Sequence, residues 1–201
     1  MEIRYEDILL RDYRQSDIED EIRWMNEETA WMAADMPWET VEPVDPEKLR
    51  EEMTAMLSGM PQDAIRWRLE IEKDGTHIGF VSSYYLGEDY RPISWETLSE
   101  DTPKIRALGI EICEPAYWGR GIGTKTLSAF MDDYRDHGET RFALETWSGN
   151  ARVPRCAEKM GFAEVSRERD AYQVAGQSYD ALVLERNQIR HTDTASQCKG
   201  A

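Results

Sequence analysis

The segment Tyr117-Trp118-Gly119-Arg120-Gly121-Ile122-Gly123-Thr124 places three glycines within five residues, after an apolar run and before a helical pattern. Without Cβ atoms such a backbone approaches a ligand closely and turns its N–H groups outward. The start of the following helix adds unpaired donors and a partial positive charge. That is the chemistry of an anion cradle, suited to a pyrophosphate. The spacing fits neither GxxxxGKS/T nor GxGxxG. A plain tight turn with close helix packing is the other reading of the same glycines. Two carboxylates, Glu111 and Glu145, lie in otherwise apolar runs, between Ile110 and Ile112 and beside Leu144. Partial desolvation there raises a carboxyl pKa towards that of a useful base; a strand residue pointing outward is the alternative for each. Cys113, Cys156 and Cys198 are odd in number, far apart and form no CxxC pair, and His77, His137 and His191 are scattered. No disulfide framework, zinc cluster or other metal site is expected, and the cysteines in the domain read as packing.

These residues need elements to position them. Ile8-Leu9-Leu10 reads as a first strand, and Ser16-Asp17-Ile18-Glu19 as a capping box opening a helix towards Asn26. The following stretch to Trp38 is rich in Trp and Met and is expected to be partly helical. Asp45-Pro46 then starts a helix with Leu49, Met53, Met56 and Leu57 on one face, ending near Gly59. Alternation over 65–73 and 77–86 around Asp74-Gly75 predicts a hairpin. The polar stretch 87–103, with Tyr90 and Trp95, is either a long connection or a functional loop. A strand over 107–113 precedes a helix over 121–137 whose apolar face is Leu127, Phe130, Met131 and Tyr134, with Gly138 beyond it. A strand over 141–147, a helix over 150–160 and two closing strands over 162–168 and 179–184 complete the order. The pattern predicts a mixed α/β domain around one central, largely antiparallel sheet, with a polar tail after residue 190.

The two motif regions together resemble the GNAT superfamily of N-acetyltransferases. Its hallmark is Gln/Arg-x-x-Gly-x-Gly/Ala at the start of one helix, then about 25 residues later an Asn opening a second helix that ends in Glu-Lys-x-Gly-Phe. Here these are Trp118 to Gly123, Asn150, and Glu158-Lys159-Met160-Gly161-Phe162. The Trp-Gly-Arg-Gly wording is similar to the branch of the ribosomal-protein N-terminal acetyltransferases, RimJ/RimL-like. The resemblance spans roughly residues 7–186, taken as a single domain, with 187–201 as a tail. It implies a sheet splayed between its fourth and fifth strands, 107–113 and 141–147, flanked by about four helices. Trp118 stands where the family has Gln or Arg, which costs little because backbone amides do the binding. Ala157 stands where many relatives carry a Tyr as general acid, so protonation of the leaving group needs another route.

The resemblance also implies roles. Acetyl-CoA would place its pyrophosphate on Trp118, Gly119, Arg120, Gly121, Ile122, Gly123 and Thr124, with Arg120 and Lys125 near the phosphates. Its thioester arm would lie between the splayed strands, with backbone N–H groups of Ile112 and Cys113 on the thioester oxygen. Asn150 would bond the pantetheine amides, or simply cap its helix. An acceptor amine arrives protonated, with a pKa of about 10, and needs a base. Relatives carry a Glu at the Glu145 position, which makes Glu145 the first candidate and Glu111 the second. The N-terminal helices would wall the acceptor, with Trp24, Trp31 and Trp38 offering cation–π contact or serving as ordinary core.

Composition limits the partners. The 201 residues carry a net charge of -16 and seven Trp, nine Tyr and four Phe, which excludes a disordered chain and argues against a nucleic-acid backbone. Residues 1–103 hold 26 Asp+Glu against 10 Lys+Arg, and the remainder 14 against 14, so the whole excess lies in the N-terminal half. That is either a solubility surface or a wall facing a cation. No membrane-length apolar run and no apolar signal core is present. The expectation is a cytoplasmic, monomeric or homodimeric acetyltransferase using acetyl-CoA on a primary amine of a cationic acceptor, a peptide N-terminus or a polyamine-like molecule. An aminoglycoside-type acetyltransferase and a non-catalytic acyl-CoA-binding regulator are the alternatives.

Overall fold

The computed structural model describes residues 1–59, 65–94, 96–99 and 101–186; Trp95 and the expected tail over 187–201 lie outside the described residues. Eight strands form one sheet in the order β1-β2-β3-β4-β5-β6-β8-β7. They are β1 (Glu2–Tyr5), β2 (Ile8–Arg11), β3 (Arg68–Lys73), β4 (Thr76–Leu86), β5 (Ile105–Ile112), β6 (Phe142–Trp147), β7 (Ala163–Val174) and β8 (Gln177–Arg186). The helices are α1 (Asp17–Asn26), α2 (Met32–Asp35), α3 (Pro46–Gly59), α4 (Ile122–Asp136) and α5 (Arg152–Lys159). One strand exceeds the sequence expectation, and the stretch to Trp38 is helical in part, as expected. β1 alternates exposed and half-buried residues and gains its place only by pairing with β2. α2 is a single turn that follows a 3-10 turn at Thr29–Trp31.

Every neighbouring pair is antiparallel except β5 and β6, which run parallel and pair only at Arg106↔Phe142 and Ala107↔Ala143. Beyond those two positions the strands diverge, and β5 passes from buried at Leu108 to half-buried from Gly109 to Ile112. The expected splay is therefore present. α4 covers one face of the sheet: Leu127, Phe130, Met131 and Tyr134 are buried on it against Ile71, Ile78, Val81 and Leu144. That face also takes Ile110 and Ile112 of β5. Because strand side chains alternate, Glu111 and Glu145 project from the opposite face, the face of Ala107 and Ala143.

α1 docks on β2–β4 through charge as well as apolar contact. Arg11 is buried and donates to Asp17 Oδ2 at 2.6 Å and Oδ1 at 2.9 Å, and to Glu72 at 2.8 Å. His77 bridges Asp20 at 3.1 Å and Glu70 at 3.0 Å. This network displaces the expected capping box. Ser16 makes no capping bond, Asp17 Oδ2 accepts the Arg14 N–H instead, and Glu19 pairs with Arg50 of α3. In α3 the Asp45 cap forms as expected, accepting from the Glu47 and Lys48 N–H groups. Leu49, Met53 and Leu57 pack on α1, whereas Met56 is exposed.

Candidate active site

A single cavity of about 910 Å³ runs along the gap between β5 and β6. One end is built by the glycine segment. Gly119 and Gly121 have φ of +73° and +79°, and a Cβ at either would meet nothing within 4 Å. These glycines therefore serve backbone conformation and open space, not close helix packing. The N-cap of α4 is Gly121, which has no side chain to cap it; the N–H groups of the first turn have no intrahelical partner and face the cradle. Around it Arg152, Arg155 and Lys159 of α5 line the cavity, with Arg152 stacked 3.9 Å above the Trp118 ring. These cations and backbone donors fit a pyrophosphate-bearing ligand.

Several expected contacts at this end are corrected. Ile122 turns its side chain into the core and offers the cradle its N–H alone, and Arg120 is exposed over Tyr117 and does not line the cavity. Lys125 is tied to Asp7 and Glu6, so its charge is spent on the β1–β2 corner. Cys113 is buried, and its N–H already donates to Ile78 O at 2.9 Å, so it holds no thioester oxygen. Burial pushes its thiol pKa up. The Arg106 N–H points to β6 and the Cys113 N–H to β4. Strand alternation then turns the N–H groups of Ile110 and Ile112 into the gap. Ile112 is placed as expected, and Ile110 was missed. Trp118 closes this edge by donating its indole N–H to Ile112 O at 2.7 Å. Asn150 Oδ1 accepts from the Arg152 and Val153 N–H groups, and Nδ2 donates one of its two protons to Ala34 O at 3.0 Å. The helix cap is formed, and the second Nδ2 proton is left for a ligand.

The other end is acidic and aromatic. Glu145 and Glu111 both line it, and Tyr84 of β4 donates its hydroxyl to Glu145. Desolvation raises the Glu145 pKa more than the Tyr84 hydrogen bond lowers it. Glu111 is more extreme. Its Oε2 is sealed from solvent without a hydrogen-bond partner, and burial, with Asp35 nearby, pushes its pKa up to about 8. Trp31 and Trp38 wall this end together with Trp147 and Tyr172. Trp24 does not. It is buried against His77 with its ring centroid 4.6 Å away, and its indole N–H bonds Glu114 at 2.9 Å. Its place on α1 faces the sheet, while Trp31 and Trp38 lie beyond the helix in the segment that roofs the cavity. Ala157 is buried in the core, so no side chain reaches the cavity from that position.

Sequence reasoning passed over Tyr84, Asp35, Trp147, Glu168 and Tyr172. Tyr84 shares the alternating face of its strand with residues opposite Ala107, a signal legible only once β4 is known to pair with β5. Glu168 and Tyr172 lie on a strand whose register shifts between them, so the period-two pattern that would have grouped them is interrupted.

A sheet opened between two parallel strands, with an anion cradle on one side and carboxylates on the other, defines an enzyme that draws a phosphate-bearing donor and an acceptor together across a strand gap. Residues 7–163 match the GNAT acetyltransferase domain, and the chain belongs to that family of acetyltransferases. No curated protein matches it in sequence. Solved structures share its fold. The yncA protein of Salmonella typhimurium, with its cofactor acetyl-CoA, is 21% identical with a TM-score of 0.60, covering 96% of this chain and 99% of its own. RimL, a ribosomal L7/L12 alpha-N-protein acetyltransferase in complex with coenzyme A, is 16% identical with a TM-score of 0.65, covering 92% and 97%. A ribosomal-protein-alanine N-acetyltransferase from Brucella melitensis is 20% identical with a TM-score of 0.59, covering 88% and 97%. Among the described residues no helix is long and apolar enough to cross a membrane.

Proposed function

We propose that this protein moves the acetyl group of acetyl-CoA to a primary amine of a cationic acceptor by direct attack within a ternary complex. One observation carries the reading: a single cavity is cationic where it meets the α4 cradle and carboxylate-rich where it meets the acceptor face, with the β5–β6 gap between. The α4 N-terminus with Arg152, Arg155 and Lys159 would hold the phosphates. The N–H groups of Ile110 and Ile112 would receive the thioester oxygen as it gains charge. Glu145 would accept the proton of the acceptor ammonium. The freed amine lone pair attacks the carbonyl carbon and the C–N bond forms; as the C–S bond breaks and the CoA thiolate leaves, the nitrogen gives its second proton to solvent, leaving a neutral amide. With Ala157 in the core, the thiolate takes its proton from solvent or from the Tyr84–Glu145 pair.

A non-catalytic acyl-CoA-binding role is the second reading, favoured by the burial of Ala157 alone. One assay separates the two. Purified protein is mixed with acetyl-CoA, a thiol-detecting dye and a panel of amines, peptides and aminoglycosides. Amine-dependent release of CoA supports transfer. Acetyl-CoA binding by calorimetry without release for any amine supports the binding role.

A further inference from the structure

We infer that the acceptor end contains a second cation subsite, formed by Trp38, Trp147, Tyr172 and Glu168, and that the acceptor is a small di- or polyamine. The inference rests on the acetyltransferase reading above. Two sets of carboxylates share the lobe. The set nearest the strand gap is Tyr84 with Glu145, Glu111 and Asp35. The second surrounds Tyr172 of β7, whose hydroxyl feels both Glu145 and Glu168. Trp38 stacks on Tyr172 with centroids 3.6 Å apart, and Trp147 meets Trp38 edge-on at 6.0 Å and 85°. Two aromatic planes at a right angle beside a carboxylate make a corner suited to an ammonium.

Hydrogen-bond supply narrows the class further. Several donors of this lobe are spent on the protein, while the Tyr172 hydroxyl and the Trp38 indole N–H line the cavity and make no hydrogen bond with a described residue. Tyr84 gives its hydroxyl to Glu145 and Tyr90 to Glu185, while the indoles of Trp31 and Trp147 go to Trp24 O and Ala34 O. Two carboxylates there are unpaired: Asp35 and Glu168 line the cavity and make no hydrogen bond or ion pair with any described residue. Among the described residues that line the cavity, Arg91 is the one cation at this end, exposed at its mouth. A site of free acceptors and π-faces suits a ligand made of donors and methylenes, and an ammonium has three donors and no acceptor. The segment 31–38 also closes over the lobe, with Ala34 O held by both Trp147 and Asn150. In the reaction the proximal amine gives its proton to Glu145 and becomes the amide, while the distal ammonium keeps its charge throughout.

The test compares kcat/KM for butylamine, 1,4-diaminobutane, spermidine, a short peptide with a free N-terminus and an aminoglycoside, on wild type, Glu168→Gln and Trp38→Leu. The diamine and spermidine are expected to exceed butylamine at least about tenfold, and the ratio is expected to fall about tenfold in either variant. Equal kcat/KM for butylamine and the diamine, a ratio that both variants leave intact, or preference for the peptide or the aminoglycoside overturns the subsite while leaving acetyl transfer standing. If no amine releases CoA, acetyl transfer itself fails, and calorimetry with spermidine decides the subsite. Binding weakened by Glu168→Gln supports it, and no binding to wild type overturns it.

Discussion

Two glutamates on one sheet face have carboxyl pKa values raised by burial, and their surroundings differ. Glu145 opens to the cavity beside a tyrosine hydroxyl, whereas Glu111 is enclosed with one oxygen unpaired. Glu145→Gln is expected to lower kcat about a hundredfold, the range of a positioned proton acceptor, with the acetyl-CoA Kd from calorimetry little changed. Its raised pKa places the acid limb of the wild-type kcat/KM profile above the ordinary glutamate value of 4.5, and activity falls as pH drops through it. Glu111, with a pKa of about 8 against 4.5 when unfolded, binds its proton more tightly folded than unfolded. Stability is therefore lost as pH rises from about 4.5 to about 8. Glu111→Gln removes that loss and is expected to raise Tm at pH 8.5 by an amount worth at least about 1 kcal/mol, with no gain at pH 4. Thermal melts at the two pH values check this. Both carboxylates were legible as charges inside apolar runs. Their difference was not, because it depends on Asp35 and Tyr84, which arrive from other elements.

At the scale of elements, α1 is held by ions as much as by Ile18 and Ile22. Burial works against the charge of Asp17, and Arg11, His77 and the Arg14 N–H outweigh it, so its carboxyl stays below the usual range. Asp17→Ala leaves the buried Arg11 guanidinium short of its main partner and is expected to cost about 3–5 kcal/mol in urea unfolding. Asp17-Ile18-Glu19 read as a capping box because Ser and Glu stand at the right spacing, and pairing with Arg11 and Arg50 was invisible without the sheet. The α4 cradle behaves otherwise. Its glycines set backbone conformation locally, so the turn into α4 was readable from sequence. Gly121→Ala forces an L side chain into φ of +79°, and Gly123→Trp fills the cradle. Each is expected to weaken acetyl-CoA binding more than tenfold by calorimetry, while Gly176→Ala, in the distal β7–β8 turn, leaves it unchanged.

Charge is arranged on the scale of the whole molecule. The acidic N-terminal half supplies Asp35 and the roof of the acceptor end, and the balanced C-terminal half supplies Arg152, Arg155 and Lys159 at the cradle. Both ends are thus electrostatic, and the Debye length shrinks to about 10 Å at 0.1 M salt. The KM for a cationic acceptor is expected to rise severalfold between 20 and 200 mM salt, and the KM for acetyl-CoA to rise too. An acceptor KM indifferent to salt, measured beside an acetyl-CoA KM that responds, would mean that the negative charge is only a solubility surface.

From the sequence alone came what depends on neighbours along the chain: the Trp118–Gly123 turn into a helix, the apolar face Leu127–Phe130–Met131–Tyr134, the Asp74-Gly75 hairpin, and the pairing of two motifs that resembled the GNAT superfamily. The splay of strands 107–113 and 141–147 was expected through that resemblance. Tertiary structure decided what depends on residues distant in sequence. It moved Trp24 into the core and left Trp31 and Trp38 on the cavity. It spent the Cys113 N–H on β4 and turned Ile110 towards the gap. It also gave Asn150 to Ala34 and Lys125 to Asp7. A hydrogen bond or ion pair is a competition among all groups that can reach one another, and the list of competitors exists only once the sheet has brought β4, β5, β6 and the roof to one place.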